Sequence, residues 1–203
     1  ANIYQMMMSD FEKTNRLSKD IRNREVKNIY INPTNIEWMS RNYVASGCSE
    51  HFISLEIPYK KHYTDEKYIG KNKNDLLIGY VRLRIPDPFE DKSYLPNEIK
   101  DAALIRELRV LGIQKVVGQK SEKGLPQHAA YGEALMRRAE VIAKLNGHSK
   151  VAVIAGVGAK NYYINKLGYE EDGSYVSKNI TWFRFFYNIY HLFMMYLYTR
   201  FLN

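Results

Sequence analysis

The stretch QHAAYGEALMRRAEVIAKL, residues 127–145, decides the fold of this chain. Its apolar residues recur at helical spacing: Tyr131, Leu135, Ala139, Ile142 and Leu145. The opposite face carries two i,i+4 pairs of favourable order, Glu133–Arg137 and Glu140–Lys144. The pattern predicts an amphipathic helix that ends at Gly147, with one face in a core and the charged face away from it.

The residues that lead into this helix, Gln127 to Gly132, are candidates for binding a phosphate group. A strand is predicted before them, so backbone N–H groups and the helix N-terminus would point at one place and favour an anion such as a pyrophosphate. The small residues at 129, 130 and 132 would let a ligand approach the backbone closely. A helix N-terminus whose small residues serve packing alone explains the same stretch.

On both sides of this helix the sequence predicts strands. Four precede it with spacing typical of antiparallel neighbours: 36–45, 51–57, 76–85 and 102–110. After it come a buried strand at 151–155, a short helix at 159–167 and a strand at 169–178 that turns at Asp172-Gly173. The order β-β-β-β-α-β-α-β predicts an α/β (or α+β) domain with a mixed central sheet flanked by helices.

Three regions are predicted along the chain. Residues 1–30 read as a short helix and a basic connector, residues 31–179 as the domain, and residues 180–203 as an apolar tail. The tail contains no acidic residue and has Arg184 and Arg200 near its ends. We expect it to bury its aromatic surface in lipid as a tail anchor; an interfacial helix, or a helix docked on the domain or on a partner, are the alternatives.

Composition restricts the partners and the chemistry. The 203 residues carry a formal charge of +8, which favours polyanionic partners such as nucleic acids, phosphorylated cofactors or anionic lipids. Cys48 is the single cysteine, which excludes a disulfide scaffold and any zinc or iron–sulfur site built from cysteines of this chain. No metal site is predicted.

Several long segments resemble one family. RELRVLG (106–112), QHAAYGEALMRRAEVIA (127–143) and VAVIAGVGAKNYYINKLGYEEDGSYVSK (151–178) are similar to the C-terminal acetyltransferase domain of the Elongator catalytic subunit. Upstream, RNYVASGCSEHFISLE (41–56) and LIGYVRLRIP (77–86) resemble the same domain, and KDIRNREV (19–26) resembles the connector before it. The resemblance covers about residues 1–178, in order, and leaves the tail unexplained.

The resemblance implies a Gcn-five-related acetyltransferase fold that binds acetyl-CoA. In the family a radical S-adenosylmethionine domain with a 4Fe-4S cluster precedes this one, and together they modify C5 of the tRNA wobble uridine. The implied partners are tRNA and other Elongator subunits or a second copy, and the implied location is cytoplasmic. If the tail anchors the chain in a membrane, the expected location is the cytosolic face of an organelle outer membrane. Protein-lysine (histone or tubulin) acetylation and a non-catalytic acetyl-CoA- or RNA-binding module are the alternative functions.

Carried over by position, the family's site falls on defined residues. The implied catalytic residues are Tyr162, Tyr163 and Glu107. The implied cofactor-binding residues are Leu108, Val110, Gln127, His128, Ala129, Ala130, Tyr131, Gly132, Asn161 and Tyr162. The implied RNA-binding residues are Lys19, Arg22 and Arg24. One departure is Ala130, which stands where the family pattern has its first loop glycine.

Overall fold

The computed structural model describes residues 2–14, 20–26, 32–62, 74–87, 89, 91–111 and 128–201. The helices are α1 (Ile3–Lys13), α2 (Ile21–Arg24), α3 (Tyr59–His62), α4 (His128–Leu145), α5 (Val157–Asn161) and α6 (Trp182–Phe201). A 3₁₀ turn forms at Pro33–Asn35, and α5 continues into a π-helical segment, Tyr162–Lys166. The strands are β1 (Glu37–Ala45), β2 (Cys48–Ile57), β3 (Leu76–Ile85), β4 (Ala102–Val110), β5 (Lys150–Val153), β6 (Glu170–Asp172) and β7 (Tyr175–Asn179).

All seven strands form one mixed sheet in the order β1-β2-β3-β4-β5-β7-β6. Strands β1 to β4 are antiparallel neighbours, β4 and β5 are parallel, and β7 runs antiparallel to both β5 and β6. The parallel pair requires a crossover, and α4 lies within the connection that supplies it. The predicted order of elements and the mixed α/β class are confirmed; the predicted last strand is the hairpin β6–β7.

The core lies between the sheet and the apolar face of α4. Leu135, Met136 and Ala139 of α4 are fully buried in one cluster with Leu83 of β3 and Ile105 of β4. Close packing at this point depends on Gly79 of β3. A Cβ there would lie 2.9 Å from the carbonyl oxygen of Arg109 and 3.2 Å from Leu135 Cδ1. The absence of a side chain therefore lets β3, β4 and α4 meet.

The other face of the sheet carries buried carboxylates that are bound by arginines. Glu56 of β2 is buried and forms ion pairs with Arg24 and, at 2.5 Å, with Arg41; Ser54 Oγ donates to Glu56 Oε1 at 2.5 Å. Burial alone would raise the pKa of Glu56, but the hydrogen bonds from Arg41 and Ser54 and the nearby positive charges outweigh it and hold the pKa below 4.5. A buried carboxylate is tolerated here because it is paired.

The tail forms α6, and α6 packs on α4 of the domain. Asn188 is fully buried: its Nδ2 donates to Glu140 Oε2 at 2.7 Å, and its Oδ1 accepts from Arg137 Nη1 at 2.8 Å. Within the described residues no helix combines the length and the apolar character needed to cross a bilayer. The expected membrane span over 180–203 is therefore not supported, and the described part of the tail forms one of the alternatives, a helix docked on the domain.

The same contacts correct the predicted charged face of α4. Glu140 is buried, and its Oε1 accepts from Lys178 Nζ at 2.7 Å and from Tyr169 Oη at 3.1 Å, whereas Lys144 donates to Ser149 Oγ. Burial lowers the pKa of Lys178, and the Glu140 carboxylate opposes that shift. The expected Glu140–Lys144 pair is not formed because α6 and β7 cover this part of α4. The other expected pair is present, with Arg137 Nη2 and Glu133 Oε1 at 2.5 Å.

Candidate functional site

The first turn of α4 supplies the backbone of the candidate site. The predicted loop before the helix is in fact largely helical, because α4 begins at His128. The N–H groups of the first four helical residues have no acceptor within the helix and so remain available to an anion. Ala130 is exposed, whereas Tyr131 and Gly132 are buried. Of the other predicted residues, Gln127 lies outside the described residues, and His128 and Ala129 are described by backbone alone.

The Tyr162 hydroxyl lies directly against Gly132. An ideal Cβ built on Gly132 would be 2.8 Å from Tyr162 Oη and 3.5 Å from Val110 Cγ2. Three separate elements therefore converge at one point: the end of β4, the first turn of α4 and the π-helical segment after α5. A side chain at position 132 would occupy the space that the hydroxyl uses, so Gly132 is required for this close approach.

The surroundings of the Tyr162 hydroxyl affect both its hydrogen bonding and its pKa. Its oxygen is buried, and no group in the described part of the chain makes a hydrogen bond to it. Burial, with smaller contributions from the charges of Glu133 and Tyr163, raises the pKa of Tyr162 to about 12. A neutral phenol held in this way is a hydrogen-bond donor whose proton is retained far above neutral pH. An unpaired buried donor costs free energy, and a ligand that accepts from it would recover that cost.

The other predicted tyrosines, Tyr131 and Tyr163, are both buried. Tyr163 is buried, and its ring meets those of Tyr162 and Tyr169 edge to face, with centroids 5.6 Å and 5.9 Å away. Burial raises the pKa of Tyr163, and it raises the pKa of Tyr131 to about 12. The Tyr163 ring, itself packed on that of Tyr169, thus helps to position the ring of Tyr162. Asn161, the residue before it, is exposed.

Strand β4 separates the other predicted residues onto its two faces. Leu108 and Val110 pack against the core cluster, on the side of α4. Glu107 points to the opposite side, because alternate residues of a strand face opposite ways. There Glu107 Oε1 accepts from Tyr80 Oη at 2.8 Å and lies 2.8 Å from Arg109 Nε. The structure thus brings Val110 together with Gly132 and Tyr162, and it places Glu107 on the other face of the sheet.

The predicted RNA-binding residues differ in their surroundings. Arg22 is exposed in α2. Arg24 is directed inward: it is ion-paired with the buried Glu56, and its Nε donates to the Asp75 carbonyl oxygen at 3.2 Å. Its guanidinium is therefore committed to the domain. Lys19 lies outside the described residues.

Sequence reasoning missed two features near these residues. Glu133 follows Gly132 directly and acts on Tyr162 by its charge. Arg84 of β3 and Arg106 of β4 converge on the buried Glu50 of β2, with Arg106 Nη1 donating to Glu50 Oε1 at 2.7 Å. Charged residues at alternate positions of strands predicted to be neighbours were the available signal for this cluster.

Comparison with known proteins finds relatives under two names, Elongator complex protein 3 and tRNA uridine(34) acetyltransferase. No protein-family model matches the sequence. Elongator complex protein 3 of Dictyostelium discoideum is 38% identical over 184 residues, which cover 88% of this chain and 29% of that protein. The tRNA uridine(34) acetyltransferase of Methanocaldococcus jannaschii is 35% identical over 187 residues, 88% of this chain and 31% of that protein.

A solved structure of a protein of this kind is also similar to this chain. The archaeal Elp3 of Methanocaldococcus infernus, with its N-terminal residues 1–46 deleted, has a TM-score of 0.63 and 30% identity. The match covers 87% of this chain and 38% of that one. The chain thus spans less than a third of the length of the curated relatives named above. By sequence and by fold, this chain is a homologue of part of Elongator complex protein 3.

Proposed function

We propose that residues 31–179 are a Gcn-five-related acetyltransferase domain that binds acetyl-CoA and serves the C5 modification of a tRNA wobble uridine. Residues 1–30 are the connector to the rest of an Elongator-type enzyme in this proposal. The observation that carries it is the buried Tyr162 hydroxyl, which lies against Gly132 near the start of α4 and makes no hydrogen bond to any described residue. The printed names of the relatives, one of them a tRNA uridine(34) acetyltransferase, support the substrate class.

The residues present fit acetyl-CoA. Phosphate oxygens need several N–H donors and little steric bulk, and the start of α4 offers the N–H groups of its first turn together with the small residues Ala130 and Gly132. An acyl thioester needs an apolar surface and one donor, and the side chains of Leu108 and Val110 with the Tyr162 hydroxyl would supply these. The methyl group of Ala130 is exposed, so it leaves the backbone N–H groups of this turn accessible.

When bound, acetyl-CoA supplies an activated two-carbon acyl group. In our assignment Tyr162 would donate its proton to the departing thiolate of CoA, because its phenol stays neutral near pH 7 and its oxygen has no competing partner among the described residues. Tyr163 is a positioning residue whose ring holds that of Tyr162. We assign no catalytic role to Glu107, since it is bound to Tyr80 and Arg109 on the far face of the sheet.

The proposed partners are inferred from the names of the relatives and from the exposed residues of the connector. The substrate we propose is tRNA, and the other Elongator subunits are proposed partners because relatives carry the name Elongator complex protein 3. Arg22 is an exposed connector residue and could contact an RNA phosphate in this proposal. Arg24 supports this surface indirectly by fixing α2 to β2.

The test is acetyl-CoA binding and thiol release by the 203-residue chain. We expect calorimetry to show binding, and free thiol to appear on incubation with tRNA as acetyl-CoA is hydrolysed, with water taking the acetyl group to give acetate and CoA. The Tyr162→Phe variant should bind acetyl-CoA within about twofold but release thiol at least about tenfold more slowly. A folded chain that does not bind acetyl-CoA, or equal thiol release by both proteins, would contradict the proposal.

A further inference from the structure

The tail helix α6 holds the side chain of Arg137 at the surface of α4. Arg137 Nη1 donates to the Oδ1 of the buried Asn188 at 2.8 Å, and the guanidinium carbon lies 5.0 Å from the centre of the Tyr187 ring. The Arg137 side chain is only 17% exposed. Most surface ion pairs are weak partly because two long side chains must lose their rotational freedom, and here two residues of α6 have already restricted that of Arg137.

The rest of the Arg137 guanidinium binds Glu133, one turn earlier in α4. Its Nη2 and Nε donate to Glu133 Oε1 at 2.5 Å and 3.1 Å. A series of contacts therefore connects the tail helix to Glu133: Asn188 holds Arg137, and Arg137 holds Glu133.

Glu133 lies beside the proposed acetyl-CoA site. It directly follows Gly132, whose backbone meets the Tyr162 hydroxyl, and it is the first acidic residue of α4, since the first turn contains none. It shares a side of the helix with Ala130, which is exposed three residues earlier. The Glu133 side chain is itself 39% exposed. A carboxylate without a cation at this place would oppose the binding of phosphate groups at the start of α4.

We propose that Arg137 is a positioning residue for acetyl-CoA: fixed by α6, it neutralises Glu133 and so keeps the start of α4 favourable to the phosphates of the cofactor. This inference rests on the proposed acetyl-CoA site, and it gives the tail helix a part in forming that site. An ion pair that only stabilised α4 would leave cofactor affinity unchanged when it is broken. The charge of Glu133 separates the two roles, because its removal should compensate for the loss of Arg137.

Calorimetric titration of the 203-residue chain and its variants with acetyl-CoA tests the proposal. Arg137→Gln should weaken binding at least about fivefold because it leaves the Glu133 charge unpaired, whereas Glu133→Gln should strengthen binding. The double variant Glu133→Gln/Arg137→Gln should bind within about twofold of the parent protein. Arg138→Gln, which removes the same charge at the next, exposed position, is the matched control and should also bind within about twofold.

The salt dependence of binding is a measurement that a purely structural role would not change. Because Glu133 is partly exposed, salt screens its repulsion of the phosphates. The dissociation constant of Arg137→Gln, divided by that of the parent protein, should therefore fall between about 0.05 M and about 0.5 M sodium chloride. A ratio that does not depend on salt would overturn the proposal.

Asn188→Ala tests the contribution of α6. It should weaken acetyl-CoA binding about two- to threefold in the parent protein, because Arg137 is then held less firmly. In the Glu133→Gln background it should leave the affinity unchanged, because no negative charge remains to be neutralised. Equal weakening in both backgrounds would overturn the part given to the tail helix.

The outcomes separate this inference from the proposed function. A folded parent protein that does not bind acetyl-CoA contradicts both. If the parent protein binds, equal affinity of Arg137→Gln, or a double variant as weak as Arg137→Gln, overturns this inference and leaves the acetyl-CoA site in place. Unfolding midpoints identify a variant that has lost its fold. If Arg137→Gln has, Glu133→Gln replaces it as the test, and unchanged or weaker binding by that variant overturns the inference.

Discussion

Replacing Gly132 by alanine perturbs the candidate site by a single methyl group. The added Cβ would lie 2.8 Å from Tyr162 Oη, whereas non-bonded atoms reach their optimum near ~3.5 Å. The hydroxyl must therefore move by roughly 0.7 Å, and misplacement of about 1 Å can cost a catalytic step about a hundredfold. Alanine is also the better helix former by about 1 kcal/mol, so the fold of α4 should survive.

Calorimetry with acetyl-CoA measures the consequence. We expect Gly132→Ala to weaken binding at least about tenfold, or about 1.4 kcal/mol, because the new methyl and the displaced tyrosine ring take up space at the proposed site, whereas Tyr162→Phe alone adds no bulk there. Adding Tyr162→Phe should restore much of the affinity, because the next atom of the ring, Cζ, is 3.7 Å from the new methyl. Gly158→Ala is the matched control, since a methyl there meets no atom within 4 Å. Ala130→Gly should bind acetyl-CoA as well as the parent or better.

Two outcomes would refute this reasoning. Unchanged acetyl-CoA affinity in a folded Gly132→Ala variant would remove the first turn of α4 from the site. Equal loss in Gly132→Ala and in the Gly132→Ala/Tyr162→Phe double variant would show that the contact with the hydroxyl is not the cause.

Three further predictions concern protonation and stability. Thiol release that depends on Tyr162 should not fall between pH 7 and about 10, because its pKa is raised to about 12, and a decline centred near pH 10 would contradict the buried phenol. Asn188→Ala should lower the free energy of unfolding by about 1–3 kcal/mol, since it leaves Glu140 short of a donor. Phe193→Ala, at an exposed position of the same helix, is the control and should change the free energy of unfolding by less than about 0.5 kcal/mol. If chemical denaturation shows equal effects of the two substitutions, α6 does not dock as described. The pKa of Glu56 is lowered in the folded protein, so its carboxylate stabilises the fold above its ordinary pKa of 4.5, and this stabilisation is lost as the pH falls through the lowered pKa. In an acid titration, the free energy of unfolding of Glu56→Gln should therefore fall less than that of the parent protein.

The framework of the fold was predictable because its signals are local. Alternation along β2, β3 and β4 and the helical spacing of Leu135 and Ala139 depend on neighbouring residues alone. Those patterns gave the strands, the helix and their order. The start of α4 was placed too late, because Ala129 and Ala130 have good helix propensity but no apolar periodicity to reveal it.

The position of the tail could not be predicted, because its anchoring contacts are distant in sequence. Asn188 meets Arg137 and Glu140, which lie 51 and 48 residues away. From the sequence alone, Asn188 looks like a polar interruption of an apolar segment, and Glu140 looks like a surface charge. Each is buried with its hydrogen bonds satisfied: Asn188 bonds to Arg137 and Glu140, and Glu140 also accepts from Lys178 and Tyr169.

The candidate site was predicted as a set of residues but not as a geometry. The resemblance gave Gly132 and Tyr162, and the structure adds that they touch. The structure also places Glu107 and Val110 on opposite faces of the sheet, which the alternation of side chains along a strand could have indicated. The inward orientation of Arg24 follows from the buried Glu56, and no feature of the basic connector itself revealed that pairing.

Hydrogen exchange measured by mass spectrometry, with and without acetyl-CoA, tests the central claim most directly. We predict that acetyl-CoA slows exchange in peptides from the first turn of α4, residues 128–133, and from the Tyr162 segment, residues 157–166. Peptides from β1 should exchange at the same rate in both conditions. Protection confined to other parts of the chain, or none at saturating acetyl-CoA, would contradict an acetyl-CoA site built on Gly132 and Tyr162.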